Sequence, residues 1–178
     1  MTVCIEFPGF CVFKSTVEGH GFIKERILES INPDKNKRFG VETHNQKIYH
    51  TDWYVPSNVF KPYYSVVGGL LEAHNKKVFE LLNTTDQGIE IQTVWFQQYK
   101  TGCFHGPHTH GGCNFSNVYY VDLPPGTPKT TFSFMGKKYD VDIKEGDIIT
   151  FPGYLLHESP VNESEYTKTV IAFNTNMV

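Results

Sequence analysis

Three histidines fall within six residues in "FHGPHTH", at His105, His108 and His110, and a tyrosine-rich run follows them, "CNFSNVYYVDLP". Successive residues of an extended segment point to opposite faces, so residues two apart project the same way. His108 and His110 therefore offer two imidazoles to one point, as a single metal ion needs from one strand. Imidazole suits zinc, copper, iron and nickel. A third ligand must come from elsewhere. His157, in "GDIITFPGYLLHESPVN", is the best placed: an apolar strand and a Pro-Gly turn precede it, and the turn can bring it back over the pair. His20, His44, His50 and His74 sit in helical or polar loop contexts. His105 is out of phase with His108 in a regular strand, so it is expected to line the entrance or to make a hydrogen bond, not to bind metal. An HxH pair alone is a weak signal; the segment around His157 strengthens it.

A chain of 178 residues, 39% hydrophobic and 20% charged, is long enough for one well-packed domain and too apolar to be disordered. Its net charge of −3 gives no indication of a nucleic-acid partner. No stretch approaches eighteen uninterrupted apolar residues, so no membrane span is expected. The N-terminal "MTVCIEFPGFCVFK" lacks a basic leader and is broken by Pro8 and Gly9. It reads as strand–turn–strand, not as a signal peptide, which gives a cytoplasmic expectation. Cys4, Cys11, Cys103 and Cys113 have no CxxC spacing and read as free thiols.

The elements that must position the histidines follow from periodicity. Residues 3–7 and 10–14 alternate as a hairpin. Phe22, Ile23, Ile27 and Leu28 recur at helical spacing, which predicts a short helix over 21–30. Residues 32–46 are polar and read as a loop. Leu70, Leu71, Val78, Leu81 and Leu82 predict a second helix within 59–82, weakened near Gly68 and Gly69 and stopped by "DQG". Beyond residue 88 the texture becomes β-branched and aromatic: "IEIQTVWFQQY", "FSNVYYVDL", "TTFSFM", "KKYDVDI", "DIITF" and "KTVIAFN" are separated by Gly, Pro or Asn. Short strands with regular turn signals predict a sandwich or barrel. The chain reads as a single mainly β domain over 1–178. Strands and supporting helices occupy 1–88, and 89–178 forms the core with the metal site.

In order and spacing, "YKTGCFHGPHTHGGCNFSNVYYVDLP" and "GDIITFPGYLLHESPVNESEYTKTVIAFN" resemble the 2-oxoglutarate/Fe(II)-dependent oxygenases. More narrowly they resemble a branch related to prolyl hydroxylases that occurs in bacteria, marine phages and metagenomes, so a phage-encoded origin is compatible. That branch shows an HxH segment, an "SGVYY"-like strand, a "GDLLxFPSWLxH" segment and an "R…FN" ending. The resemblance covers about residues 93–175 and does not reach 1–90. It implies a double-stranded β-helix, a jelly roll, here with one or two flanking N-terminal helices. It also implies Fe(II) in a facial HxD/E…His triad and 2-oxoglutarate as cosubstrate, its far carboxylate held by a basic residue.

Carried over by position, His108 takes the first ligand place and His157 the distal one, while His110 falls where many relatives have Asp or Glu. Lys168, eleven residues beyond His157, falls where the family usually has Arg and would pair with the far carboxylate. Tyr120 matches a tyrosine that hydrogen-bonds that carboxylate, and Tyr99, in "YxxG", matches another near the cosubstrate. Asn174 shares a strand face with Lys168, Val170 and Ala172 and is expected to look inward. A lysine in an otherwise apolar strand is costly unless paired, and a bound dicarboxylate would pair it.

Two departures stand out. Three neutral imidazoles leave Fe(II) its full charge, where a carboxylate would cancel one unit. Lysine binds a carboxylate as a point charge, without arginine's fork. The resemblance implies a dioxygenase, a hydroxylase acting on a small-molecule or peptidyl substrate. Two alternatives stay open: a cupin-like three-histidine metalloprotein that uses no 2-oxoglutarate, and a jelly-roll binding or structural module without catalysis.

Overall fold

Pro8 and Gly9 reverse the chain between two alternating segments, Gly9 taking φ 97°, a left-handed backbone that suits glycine. In a computed structural model, which describes residues 1–31, 40–56, 58–84, 86 and 88–178, these segments form the expected hairpin. Its strands are β1 (Thr2–Phe7) and β2 (Phe10–Thr16), in register from Thr2 opposite Ser15 to Phe7 opposite Phe10. Helix α1 (His20–Ile31) follows.

The polar stretch read as a loop divides. Residues 32–39 lie outside the described residues, whereas β3 (Val41–Glu42) and β4 (Gln46–Ile48) pair as strands, a correction to the loop reading of 40–46. Segments of two or three residues are too short to show alternation, and it is sheet pairing that makes them strands. Then come β5 (His50–Thr51) and helix α2 (Tyr64–Leu81). Gly68 and Gly69 do not interrupt α2, because Val67, Leu71, Val78 and Phe79 bury one face of it. The helix ends at Leu81, ahead of the "DQG" expected to stop it, and Asn83 then takes φ 55°.

The strands expected beyond residue 88 are present: β6 (Ile89–Tyr99), β7 (Phe104–His108), β8 (Phe115–Asp122), β9 (Thr131–Phe134), β10 (Lys137–Asp140), β11 (Asp147–Pro152), β12 (Leu156–Ser159) and β13 (Lys168–Met177). Among the described residues they build two antiparallel sheets. One has the order β1-β2-β11-β8-β13-β6-β5 and the other β10-β9-β12-β7-β4-β3. This is the jelly roll. Strands from the first ninety residues enter both sheets. Among the described residues no helix is long and apolar enough to cross a membrane.

The larger sheet is buried on both faces. Phe10, Val12, Tyr120, Ile149, Phe151 and Val170 pack with Phe132 of the facing sheet. On the other side Ile27 and Ile31 of α1 and Val67 and Leu71 of α2 cover Phe96, Tyr119, Val121, Ile148, Ile171 and Phe173. Val118 and Tyr120 of β8 thus face the sheet interior and Tyr119 and Val121 face the helices, as the period of two requires.

One polar network ties α2 to this sheet. Asn117 donates its amide hydrogens to the Phe173 carbonyl (3.0 Å) and to Thr175 Oγ1 (2.9 Å), so its Oδ1 is left to accept the Thr150 hydroxyl. Thr150 Oγ1 in turn accepts Nε2–H of His74 at 2.6 Å, and His74 Nδ1 accepts the Ser15 hydroxyl at 2.5 Å. The Thr150 hydroxyl hydrogen is spent on Asn117, so Thr150 can only accept from His74, which fixes the His74 tautomer. Burial pushes the His74 pKa down to about 3, so the ring stays neutral at ordinary pH. Replacing His74 by leucine leaves the buried Ser15 and Thr150 hydroxyls without this partner. At about 1–3 kcal/mol for each unsatisfied group, H74L is expected to lose about 2–6 kcal/mol. The measurement is a lower urea midpoint at unchanged slope; an unchanged midpoint would mean that the network holds nothing in place.

Candidate metal centre

β7 lies between β4 and β12 in the smaller sheet, and His108 sits directly opposite His157. The register then slips. His105 is opposite Ser159, so three steps along β7 answer two along β12. Such a bulge inserts one residue and reverses the phase of what lies beyond it. His105 is therefore on the same face as His108, not the opposite one that strict alternation predicts. The two rings stack with centroids 3.7 Å apart and planes 13° apart.

His110 lies two residues past the end of β7, where main-chain bonds hold it. Its N–H donates to the Gly153 carbonyl at 2.8 Å, and the Gly153 N–H donates to the Asn114 carbonyl at 2.9 Å. The approach is close enough to exclude a side chain: a Cβ on Gly153 would stand 2.5 Å from the Cys113 carbonyl oxygen and 2.9 Å from that of His110. The Pro-Gly turn after β11 thus fastens the HxH turn to the segment that carries His157.

The result is convergence. One ligand nitrogen from each of His108, His110 and His157 falls within 4.8 Å of the others. His108 Nδ1–H donates to the Gly106 carbonyl and His157 Nδ1–H to the Leu155 carbonyl, both at 2.8 Å. A carbonyl only accepts, so both rings carry their proton on Nδ1 and leave the Nε2 lone pair for a metal. Burial lowers all three pKa values, to about 3 for His157 and about 4 for His110, with His108 adding to the effect on each. Neutral rings, bare lone pairs and short mutual distances fit a divalent transition metal. Among the described residues no carboxylate joins the group.

These rings line one cleft with Lys168, Tyr120, Tyr99 and His105. The floor is the inner face of three adjacent strands. Trp95, Ala172 and Val118 form one row, Gln97, Val170 and Tyr120 the next, and Tyr99 faces Lys168. Lys168 is 2% exposed. Its ammonium donates to the Pro128 carbonyl (2.9 Å) and to Ser159 Oγ (2.6 Å), and sits 4.5 Å from the centre of the Tyr99 ring. Among the described residues no carboxylate pairs with it, and burial pulls its pKa down to about 7.

The two tyrosines are already engaged. Tyr120 shares a 2.6 Å hydrogen bond with Thr130 Oγ1, and burial pushes its pKa up to about 12. Tyr99 donates to Gln97 Oε1 at 2.9 Å, and burial raises its pKa further still. Asn174 does not line the cleft; its Oδ1 accepts the hydroxyl of Ser116, which does, at 3.3 Å. Ser159, Gln97, Trp95 and Thr130 were not singled out from sequence. The alternation of β6 contains a signal for Trp95 and Gln97, which share the face of Tyr99, but nothing local marks Ser159 or Thr130 as partners of Lys168 and Tyr120.

Comparison with protein-family models and with curated protein sequences gives no match. Solved structures do match. An oxidoreductase of the 2OG-Fe(II) oxygenase family from Burkholderia pseudomallei superposes with TM-score 0.67 at 11% identity, over 92% of this chain and 84% of that one. A prolyl-4-hydroxylase from Pseudomonas putida gives 0.66 at 12%, over 93% and 91%. A prolyl hydroxylase from Trichoplax adhaerens, in complex with a hypoxia inducible factor peptide fragment, gives 0.65 at 13%, over 94% and 83%. The fold is that of the 2OG-Fe(II) oxygenases. The likeness extends well beyond the residues that carried the sequence resemblance, because the N-terminal strands and helices belong to the same oxygenase architecture.

Gly153 gives a direct test of how this oxygenase fold holds the histidines. G153A must push the 110–114 turn away from His157. It is expected to weaken Mn(II) or Zn(II) binding about 10–100-fold, the usual effect of disturbing the groups that orient ligands. Competition against a chelating dye measures it; unchanged metal affinity would show that the turn does not set the position of His110.

Proposed function

We propose that the chain is an Fe(II)- and 2-oxoglutarate-dependent dioxygenase, a hydroxylase whose substrate is a small molecule or a peptidyl residue. One observation carries the reading: a buried lysine with no carboxylate partner among the described residues shares the cleft of three convergent, neutral histidines. A cation removed from water needs an anion or it destabilises the fold. A dicarboxylate that reaches both the histidine group and Lys168 supplies that anion. A three-histidine metalloprotein with no acidic ligand would have no use for the lysine.

Bound at His108, His110 and His157, Fe(II) would supply the oxidative chemistry, in which 2-oxoglutarate and O₂ become succinate and CO₂ and one oxygen atom passes to the substrate. The protein's own part is orientation. The Gly106 and Leu155 carbonyls hold two imidazoles in the tautomer that presents Nε2. Ser159 and the Pro128 carbonyl aim the Lys168 ammonium, whose third N–H is left for a carboxylate oxygen. Trp95, Val118, Val170 and Ala172 keep water from the floor, which strengthens each of these electrostatic contacts. A peptidyl substrate is supported by analogy with the Trichoplax enzyme and its peptide.

The Fe(II)-loaded protein with 2-oxoglutarate is expected to release succinate, slowly without substrate and faster with one, and H157A to release none. A chain that binds metal but shows neither succinate nor a thermal shift with 2-oxoglutarate is instead a metalloprotein of the cupin type. At a hundred times Kd the ligand adds about 2.7 kcal/mol, an easily measured shift.

Lys168 adds a pH signature. The unfolded chain keeps the lysine proton up to its ordinary 10.5, whereas the native chain releases it above about 7, so stability without ligand rises with pH between those values. K168M is expected to remove that rise and to be no less stable at pH 7, while binding 2-oxoglutarate at least about tenfold more weakly. A bound dicarboxylate restores the charged form, so the parent's affinity for it falls as pH climbs above about 7. Melting curves and calorimetry at pH 6 to 9 read both effects; flat profiles in the parent would contradict them.

A further inference from the structure

Outside the three-histidine group, His105 brings a further imidazole into the cleft. His105 lies on the wall between the three-histidine group and Lys168. On one side its ring stacks on His108. On the other, its strand partner is Ser159, whose hydroxyl oxygen accepts the Lys168 ammonium. Among the described residues neither ring nitrogen of His105 has a hydrogen-bond partner, and the side chain lines the cleft. Nor does it belong to the convergent group that could hold a metal. An imidazole ring carries at least one N–H, so His105 has a donor to offer. The ring is part-exposed and lines the cleft, so an N–H that no protein group accepts is open to a ligand there.

The departure from arginine at position 168 says which ligand group. An arginine fork gives two parallel N–H donors to the two oxygens of a carboxylate. Lys168 has three N–H bonds, and two are taken by Ser159 and Pro128. It can serve one carboxylate oxygen and leaves the other to a second donor. We propose that His105 is a cosubstrate-binding residue, its ring N–H donating to the second oxygen of the carboxylate that Lys168 holds. Lysine and histidine from two strands, brought together by the β7 bulge, then do the work of one guanidinium. The proposal rests on the 2-oxoglutarate reading above and selects for 2-oxo dicarboxylates over monocarboxylates.

Calorimetry on the Mn(II)-loaded protein, which binds without turning over, tests it with two probes. 2-Oxoglutarate has the far carboxylate, and 2-oxopentanoate has a methyl group in its place. H105F keeps a flat ring against His108 and loses the donor; H105Q keeps an N–H. H105F is expected to weaken 2-oxoglutarate roughly ten- to a hundredfold and to leave 2-oxopentanoate and Mn(II) within about twofold of the parent. H105Q is expected to recover most of the loss. If the phenylalanine variant does not fold, H105A gives the same comparison, with 2-oxopentanoate as its control. Unchanged 2-oxoglutarate binding in these variants, an equal loss for both acids, or a loss of Mn(II) overturns the role of His105 alone. A parent protein that takes up Mn(II) but not 2-oxoglutarate overturns the cosubstrate reading, and this inference with it.

Discussion

The pairing of β7 with β12 is the constraint on which the site depends, because it alone sets His108 opposite His157. Side chains alternate with a period of two, so a slip of one residue would turn both imidazoles out of the cleft. The register is held from both flanks, by β4 against β7 and by β9 against β12. The bulge within the pair disturbs this ladder at one place only and recruits a further imidazole to the inner face. Beyond the strand ends the Gly153 turn continues the same fastening and carries it to His110. A metal site assembled this way is as precise as the sheet beneath it.

Two of the buried polar clusters among the described residues are built on opposite principles. The one around His74 closes on itself: both His74 ring nitrogens, the Asn117 amide and the Ser15 and Thr150 hydroxyls find their partners within it. The one in the cleft is left open, with lone pairs on three rings, an idle N–H on another and an ammonium without an acid. A closed network rigidifies; an open one stores a cost that a ligand removes. The open cluster is also lopsided in sign. Among the described residues no carboxylate pairs with its lysine, Glu158 at the cleft being paired with Lys138, so a cation at the histidines would make the demand for an anion stronger.

Much of this was legible in the chain. Residues two apart on a strand announced the HxH pair, and the Pro-Gly turn before His157 announced its return. The inward faces of β8 and β13 followed from parity. What could not be read depends on pairing between distant strands. Strict alternation put His105 on the wrong face, because the extra residue of a bulge is visible only against its partner strand. β3 and β4 are too short for any period to show. Ser159 and Thr130 become partners of Lys168 and Tyr120 only through the register, which no local pattern records. The double glycine in α2 looked like a weakness, yet burial of the residues on either side outweighs the intrinsic penalty.

The strand order also governs when the centre can come into being. Thr16 of β2 meets Asp147 of β11 across a separation of 131 residues, and β8 closes only against β11 and β13. Beyond the first hairpin the larger sheet is made of non-local pairings, which form late and slowly. On the ribosome, His108 and His110 emerge well before His157 and Lys168, and until the closing strands arrive they are a loose pair of imidazoles with no third partner. Under the proposed reading, full affinity for an ion would appear in the same step that completes the sheet, and metal loading and the last act of folding would then be coupled, each supplying free energy to the other.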